Sequence, residues 1–171
     1  MIHAVLIFNN EGKPRLSKFY SPAPAPTRSD RLKAIHAVIS NRSDSLCNFV
    51  SHPLPNPDQL SLVYRHYATL YFVMIIDKAE SELAILDLIQ VFVEALDRCF
   101  PSVCELDLIF HYDQLQILLS QMIVGGIVLD TSLESIVTQF NLICARRSQK
   151  AEAVSEVVMG LGGGVGWRPF G

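Results

Sequence analysis

The order of hydrophobic patterns predicts a single α+β domain, a five-stranded antiparallel sheet with helices on its faces. Apolar residues alternate with period two through most of residues 2–77, broken by one helical segment, and recur with helical period from about residue 80 onward. No internal repeat appears, and 171 residues suffice for one well-packed domain but not for two ordinary ones.

Ile2 to Phe8 is apolar on both alternating faces, with Ile2, Ala4, Leu6 and Phe8 set against Val5 and Ile7. That is the pattern of a central strand covered on both sides. Asn9-Asn10-Glu11-Gly12 is a turn cluster, and Arg15 to Tyr20 alternates as a half-exposed strand, so the two make a hairpin. The proline-rich stretch 21–26 continues neither element. Thr27-x-x-Asp30 reads as a capping box before a helix over about 28–40, with Leu32, Ile35 and Ile39 on one face. Strands follow at about 46–51, 60–66 and 69–77, with Pro53, Pro55 and Pro57 marking an exposed loop after the first.

From Glu80 the period becomes helical. Leu83, Leu86, Ile89, Phe92, Val93, Leu96 and Phe100 cover most of the circumference, so this helix is predicted to be buried on two sides. One side takes the sheet; the other takes further helices or another protein. Residues 105–110 and 114–123 read as helices stopped by Gly125-Gly126. Thr131-x-x-Glu134 caps a last amphipathic helix, whose C-terminal end suits Arg146, Arg147 and Lys150. The expected domain spans 1–147, and 148–171 reads as a flexible, Gly-rich tail.

Half of the residues are apolar, more than a lone core of this size requires, which fits either a large partner interface or a dense core. A formal charge of −3 provides no strong basic or acidic field to argue for nucleic acid or an anionic membrane, so no nucleic acid is expected and any membrane role would come through partners. The N-terminus lacks the charged and apolar regions of a signal peptide, and no apolar run reaches bilayer length. The expectation is a soluble, cytosolic protein. Cys47, Cys99, Cys104 and Cys144 show no CxxC spacing and are expected as buried free thiols, with a disulfide left open.

No catalytic constellation is legible. His3, His36, His52, His66 and His111 lack the spacing of metal ligands, so neither metal nor cofactor is expected. The run Gly160 to Gly166 lacks the GK[ST] ending and the strand–helix setting of a phosphate loop. No GxSxG motif or clear nucleophile–base pair is present.

Three stretches carry a family resemblance. The opening Ala4-Val-Leu-Ile-Phe-Asn-Asn-Glu-Gly-Lys-Pro-Arg-Leu-Ser-Lys-Phe-Tyr20 resembles the first hairpin of the clathrin-adaptor small chains. Tyr64-Arg-His-Tyr-Ala-Thr-Leu-Tyr-Phe72 resembles their fourth and fifth strands, and Leu86 to Leu96 with Val103 to Phe110 resembles their helical half. The likeness covers about residues 1–144. Arg65 to Leu70, Glu80 to Leu83 and the long loop Ser51 to Gln59 look most like the sigma subunit of the third adaptor complex.

The resemblance implies a longin-like fold held against the trunk of a large adaptin within a heterotetramer. It further implies a non-catalytic role in vesicle transport from Golgi or endosome towards lysosome or vacuole. Sigma subunits of this family bind acidic dileucine signals, [DE]xxxL[LI], in the cytosolic tails of membrane cargo. Association with Golgi or endosomal membranes would then be peripheral and indirect.

Residues at the matching groove positions are Tyr67, Ala68, Leu70, Val93, Val103 and Leu108, all apolar or aromatic. Burying two leucines there would contribute roughly 3–6 kcal/mol before ordering costs, suited to reversible capture. Arg15 occupies the family's basic position, and Ser102 replaces a common Asn with loss of the amide donors. Without the resemblance, Leu70, Val93 and Leu108 read as core and Arg15 as a solvated charge. Two rival readings stay open: a free longin-type regulator binding a small GTPase or fusion protein, and a small enzyme of unfamiliar type.

Overall fold

A computed structural model of the chain describes residues 1–21, 25–43, 46–51, 60–101 and 104–161. Ser102 and Val103, the proline loop 52–59 and most of the glycine run lie outside the described residues.

Strands β1 (Ile2–Asn9) and β2 (Pro14–Phe19) form the expected hairpin. Its turn is set by Asn9, whose Oδ1 accepts from the Glu11 and Lys13 amides at 3.1 and 2.8 Å. Gly12 adopts φ +78°, and a Cβ there would lie 2.6 Å from the His36 ring, so this corner requires glycine. Helix α1 (Ala25–Ser40) follows, then β3 (Phe49–Ser51), β4 (Ser61–Tyr67) and β5 (Leu70–Ile76). The sheet order is β2-β1-β5-β4-β3, antiparallel throughout. Strand β1, read as central from its two apolar faces, is interior, and so is β5, where Leu70, Phe72, Met74 and Ile76 alternate with Tyr71, Val73 and Ile75.

Strand alternation sorts the core into two layers. Ala4, Leu6, Phe8, Leu62, Tyr64, Val73 and Ile75 meet Ile35 and Ile39 of α1. Val5, Ile7, Val63, Phe72, Met74 and Ile76 meet the opposite layer, led by α2 (Glu82–Cys99). Ser81 caps α2, its hydroxyl accepting from the Ala84 amide at 3.5 Å. The second apolar side of α2 is covered by α4 (Tyr112–Met122) and α5 (Leu133–Leu161), so this chain's own helices supply the cover. Leu83, in the first turn, is the exception and is 68% exposed. Short α3 (Glu105–Phe110) links α2 to α4.

Several local expectations are corrected. Helix α1 begins at Ala25, ahead of Thr27, so Thr27 is not its N-cap. Gly125 and Gly126 do more than stop a helix: they turn a two-stranded ribbon, β6 (Ile123–Val124) with β7 (Ile127–Val128). Ile2 donates to the Gly126 carbonyl at 2.8 Å, docking that ribbon on the end of β1. The α5 start lies after Ser132 rather than Thr131, with Asp130 Oδ1 accepting from the Ser132 amide at 2.8 Å.

The last helix does not end near Ser148 but continues to Leu161. Residues 149–159 contain neither glycine nor proline, so nothing local breaks the helix there. Arg146, Arg147 and Lys150 therefore lie along the helix rather than at its end. The cysteines are free, but Cys47 and Cys104 are exposed and Cys99 and Cys144 half-buried, because the first two sit at connections between elements. Burial pushes the Cys99 thiol up to about 11, with the Cys144 thiol also raised, so both stay protonated at neutral pH. Among the described residues no helix is long and apolar enough to cross a membrane.

Candidate functional site

The site expected from the resemblance has a charged end and an apolar end. At the charged end, β2 carries Arg15 across to Glu105 in the first turn of α3. Arg15 Nε and Nη2 donate to Glu105 Oε1 at 2.7 and 2.6 Å, with the two side chains 19% and 29% exposed. The same oxygen accepts from Asn9 Nδ2 at 3.0 Å. Asn9 is buried, so the hairpin turn and β2 are each tied directly to Glu105 at the start of α3. Arg15 is thus a paired, part-buried group rather than a solvated surface charge. At the tip of the hairpin Lys13 and Glu11 pair at 2.7 Å, and the lysine holds the Glu11 carboxyl below its ordinary value.

The apolar end begins at the β4–β5 turn. Tyr67 and Leu70 pair across it, leaving Ala68 and Thr69 as a two-residue connection. Ala68 takes φ +52°, a conformation costly for a residue with a Cβ, and is exposed at the rim. Tyr67 stands edge-on to Phe72 at 5.8 Å, and Phe72 edge-on to Phe92 at 6.0 Å. Arg65 Nη1 donates to Tyr67 Oη at 3.0 Å and to Gln90 Oε1 at 2.8 Å, and Gln90 donates on to Glu94 at 3.0 Å. That chain of contacts ties the ring of Tyr67 to α2.

Tyr67, Leu70 and Val93 are half-buried against the larger core cluster, which includes Leu108. Leu108 is only 2% exposed, so a leucine side chain would reach it only if a neighbour moved. Helix α3 joins the two ends, because Glu105 and Leu108 are three residues apart and lie on one side of it. Asp107 closes the helix start, accepting from the Cys104 amide at 2.9 Å. The Cys104 bonds, with His111 nearby, hold its carboxyl below the ordinary value.

Six of the eight expected site residues are therefore placed: Arg15 at the charged end and Tyr67, Ala68, Leu70, Val93 and Leu108 at the apolar end. Ser102 and Val103 fall outside the described residues. Asn9, Glu105, Arg65 and Gln90 were not expected; they hold the others in place. Opposite charge alone pairs Arg15 with Glu105, and no local pattern marks a contact spanning that much chain. Among the described residues no three His, Cys, Asp or Glu side chains converge to hold a metal ion.

Residues 1–146 match the family model of the clathrin adaptor complex small chain. The chain belongs to that family. The clathrin-associated protein AP-3 complex component APS3 of Candida albicans is 55% identical over 139 residues, 80% of this chain and 79% of the relative. AP-3 complex subunit sigma-2 of Homo sapiens is 48% identical over 153 residues, 89% of this chain and 78% of the relative. A chain in a homology model of the full-length AP-3 complex in a stretched open conformation is 42% identical, with a TM-score of 0.68. The match covers 89% of this chain and 99% of that one. The resemblance to the sigma subunits of the third adaptor complex is thereby borne out, as is the longin-like fold. This small chain is a coat-adaptor component rather than an enzyme.

Proposed function

We propose that this small chain is the sigma subunit of an AP-3-type heterotetramer, seated on the trunk of a large adaptin, and that it helps capture acidic dileucine signals. The observation that carries the reading is α3, which links an arginine at one end to an apolar surface at the other. A [DE]xxxL[LI] peptide needs that order of chemistry, a cation for the acid and an apolar groove for the leucines. Arg15 meets the first requirement, with a second basic residue expected from the large subunit. Tyr67, Leu70 and Val93 meet the second directly, and Leu108 meets it once a neighbour moves to uncover it.

Assembly is supported by apolar surface that a lone chain has no use for. Leu106, Ile109 and Phe110 of α3 are 59%, 43% and 76% exposed, and Val124, Ile127 and Leu129 at the β6–β7 ribbon are 50%, 64% and 63% exposed. The proposed setting is the cytoplasmic face of Golgi or endosomal membranes, reached through the partner subunits, with cargo bound for lysosome or vacuole.

The test is a titration of a fluorescent acidic dileucine peptide into this chain co-expressed with its partner adaptor subunits. Micromolar binding lost with a Leu-Leu to Ala-Ala peptide, and reduced at least tenfold in Arg15→Ser, is the expected result, roughly what one charge-assisted contact supplies. A complex that assembles but does not distinguish the peptides would leave this subunit as scaffold alone.

A further inference from the structure

We infer that Glu105 is a positioning residue: it presents Arg15 to the acidic residue of the signal and sets how strongly the site selects for that acid. The inference rests on the dileucine reading above and names a control of the same site.

A guanidinium offers a side edge, Nε with Nη2, and an end edge, Nη1 with Nη2, each able to grip a carboxylate with two parallel N–H bonds. Glu105 takes the side edge through a single oxygen, at 2.7 and 2.6 Å. Among the described residues Nη1 has no hydrogen-bond partner, and Nη2, which donates one hydrogen to Glu105, keeps its second for the end edge. A signal carboxylate can therefore bind there without displacing Glu105.

Glu105 is also held independently of Arg15. Asn9, 7% exposed, donates to the same oxygen at 3.0 Å. Its own amide oxygen is fixed by the Glu11 and Lys13 amides of the hairpin turn at 3.1 and 2.8 Å. The rotamers of Arg15 are thus restricted on folding, and little further order is lost when a ligand binds.

A carboxylate acting as an internal competitor would occupy the end edge and be free to leave. This one sits on the other edge and is tied to a buried amide. Because the pair is neutral as a unit, attraction at long range is weak. Selection for an acid then depends on direct contact with a correctly aimed end edge.

The experiment uses the assembled adaptor complex and two peptides, an acidic dileucine signal and the same peptide with glutamine in place of the acid. The ratio of their dissociation constants measures acid selectivity, which a purely structural role would not move. Parent complex should favour the acidic peptide by about tenfold, the scale of one charge-assisted contact. Glu105→Ala should bring the ratio close to unity by weakening the acidic peptide alone. Glu105→Gln, which keeps one acceptor oxygen, should fall between.

Tighter binding of the acidic peptide by Glu105→Ala would make Glu105 a competitor and overturn the inference. Equal weakening of both peptides would make it structural only, with the same consequence. Should Glu105→Ala fail to assemble, the ratio in Glu105→Gln decides, and an unchanged or larger ratio rejects the idea. If parent complex ignores Leu-Leu to Ala-Ala, the dileucine reading itself fails and takes this inference with it. If it respects that change and Arg15→Ser, but Glu105 variants leave the ratio alone, only this inference fails.

Discussion

The charged and apolar ends of the site are held by different forces. Around Glu105, three N–H donors from two side chains converge on one carboxylate oxygen, with distances of 2.6–3.0 Å. Around Leu108, order comes from packing: Leu108 is buried, and Tyr67, Leu70 and Val93 lean on the same cluster. Directional contacts fix the angle of a group but tolerate little chemical change. Packing tolerates chemical change but responds to volume. In the proposed capture of a signal, the charged end is preformed, whereas the apolar end would have to open, because Leu108 is buried.

The largest effect is expected where packing carries the load. Leu108→Ala should destabilise the chain by about 2–5 kcal/mol, as core leucine truncations do, measured as a shift in urea denaturation against the parent. A loss under about 1 kcal/mol would mean that the apolar end is already loose, contrary to the burial of Leu108.

Asn9→Ala tests the charged end. It deletes the acceptor of two turn amides and one donor to Glu105, so a loss of about 1–3 kcal/mol is expected by the same measurement. Should it equal the Leu108 effect, the contrast between the two ends disappears.

Ala68→Gly changes sign. It relieves the positive φ at the β4–β5 turn, and stability should rise by about 0.5–1 kcal/mol, visible as a higher melting temperature. A fall instead would show that the Ala68 methyl group contributes packing that its exposure does not suggest.

The smallest effect is at the start of α3. The Asp107 carboxyl is held below its ordinary value of 3.8, mainly by its bonds to Cys104. A depressed folded value means that its contribution is fully present above the ordinary value. It is lost as the pH falls through the folded value. An NMR titration of that carboxyl should give a midpoint below 3.8, and Asp107→Asn should remove this part of the acid dependence.

Much of the fold was legible because it is written in local periodicity. Alternation in Ile2 to Phe8 and Leu70 to Ile76 marked two interior strands, and helical spacing marked α2 as covered on two sides. Short-range chemistry is less decisive at element ends. Thr27 and Thr131 have the spacing of caps and Gly125-Gly126 that of a stop, yet α1 starts before Thr27, α5 after Ser132, and the glycines turn a ribbon, since a local signal does not say which contacts it will serve. Residues 149–159 carry no helix breaker, so α5 runs past the boundary that the glycine run suggests.

At the site, the groove residues and Arg15 came from likeness to a family, and the residues that hold them did not. Periodicity and composition alone determined an α+β domain with two covered strands and no legible catalytic chemistry, because side-chain alternation is a property of neighbouring residues. Only the tertiary structure decided that α4 and α5, not a partner, cover the second side of α2. Only it brought Glu105 to Arg15 and Asn9. Those contacts join elements far apart in the chain, and their geometry exists only after the sheet and its helices have packed.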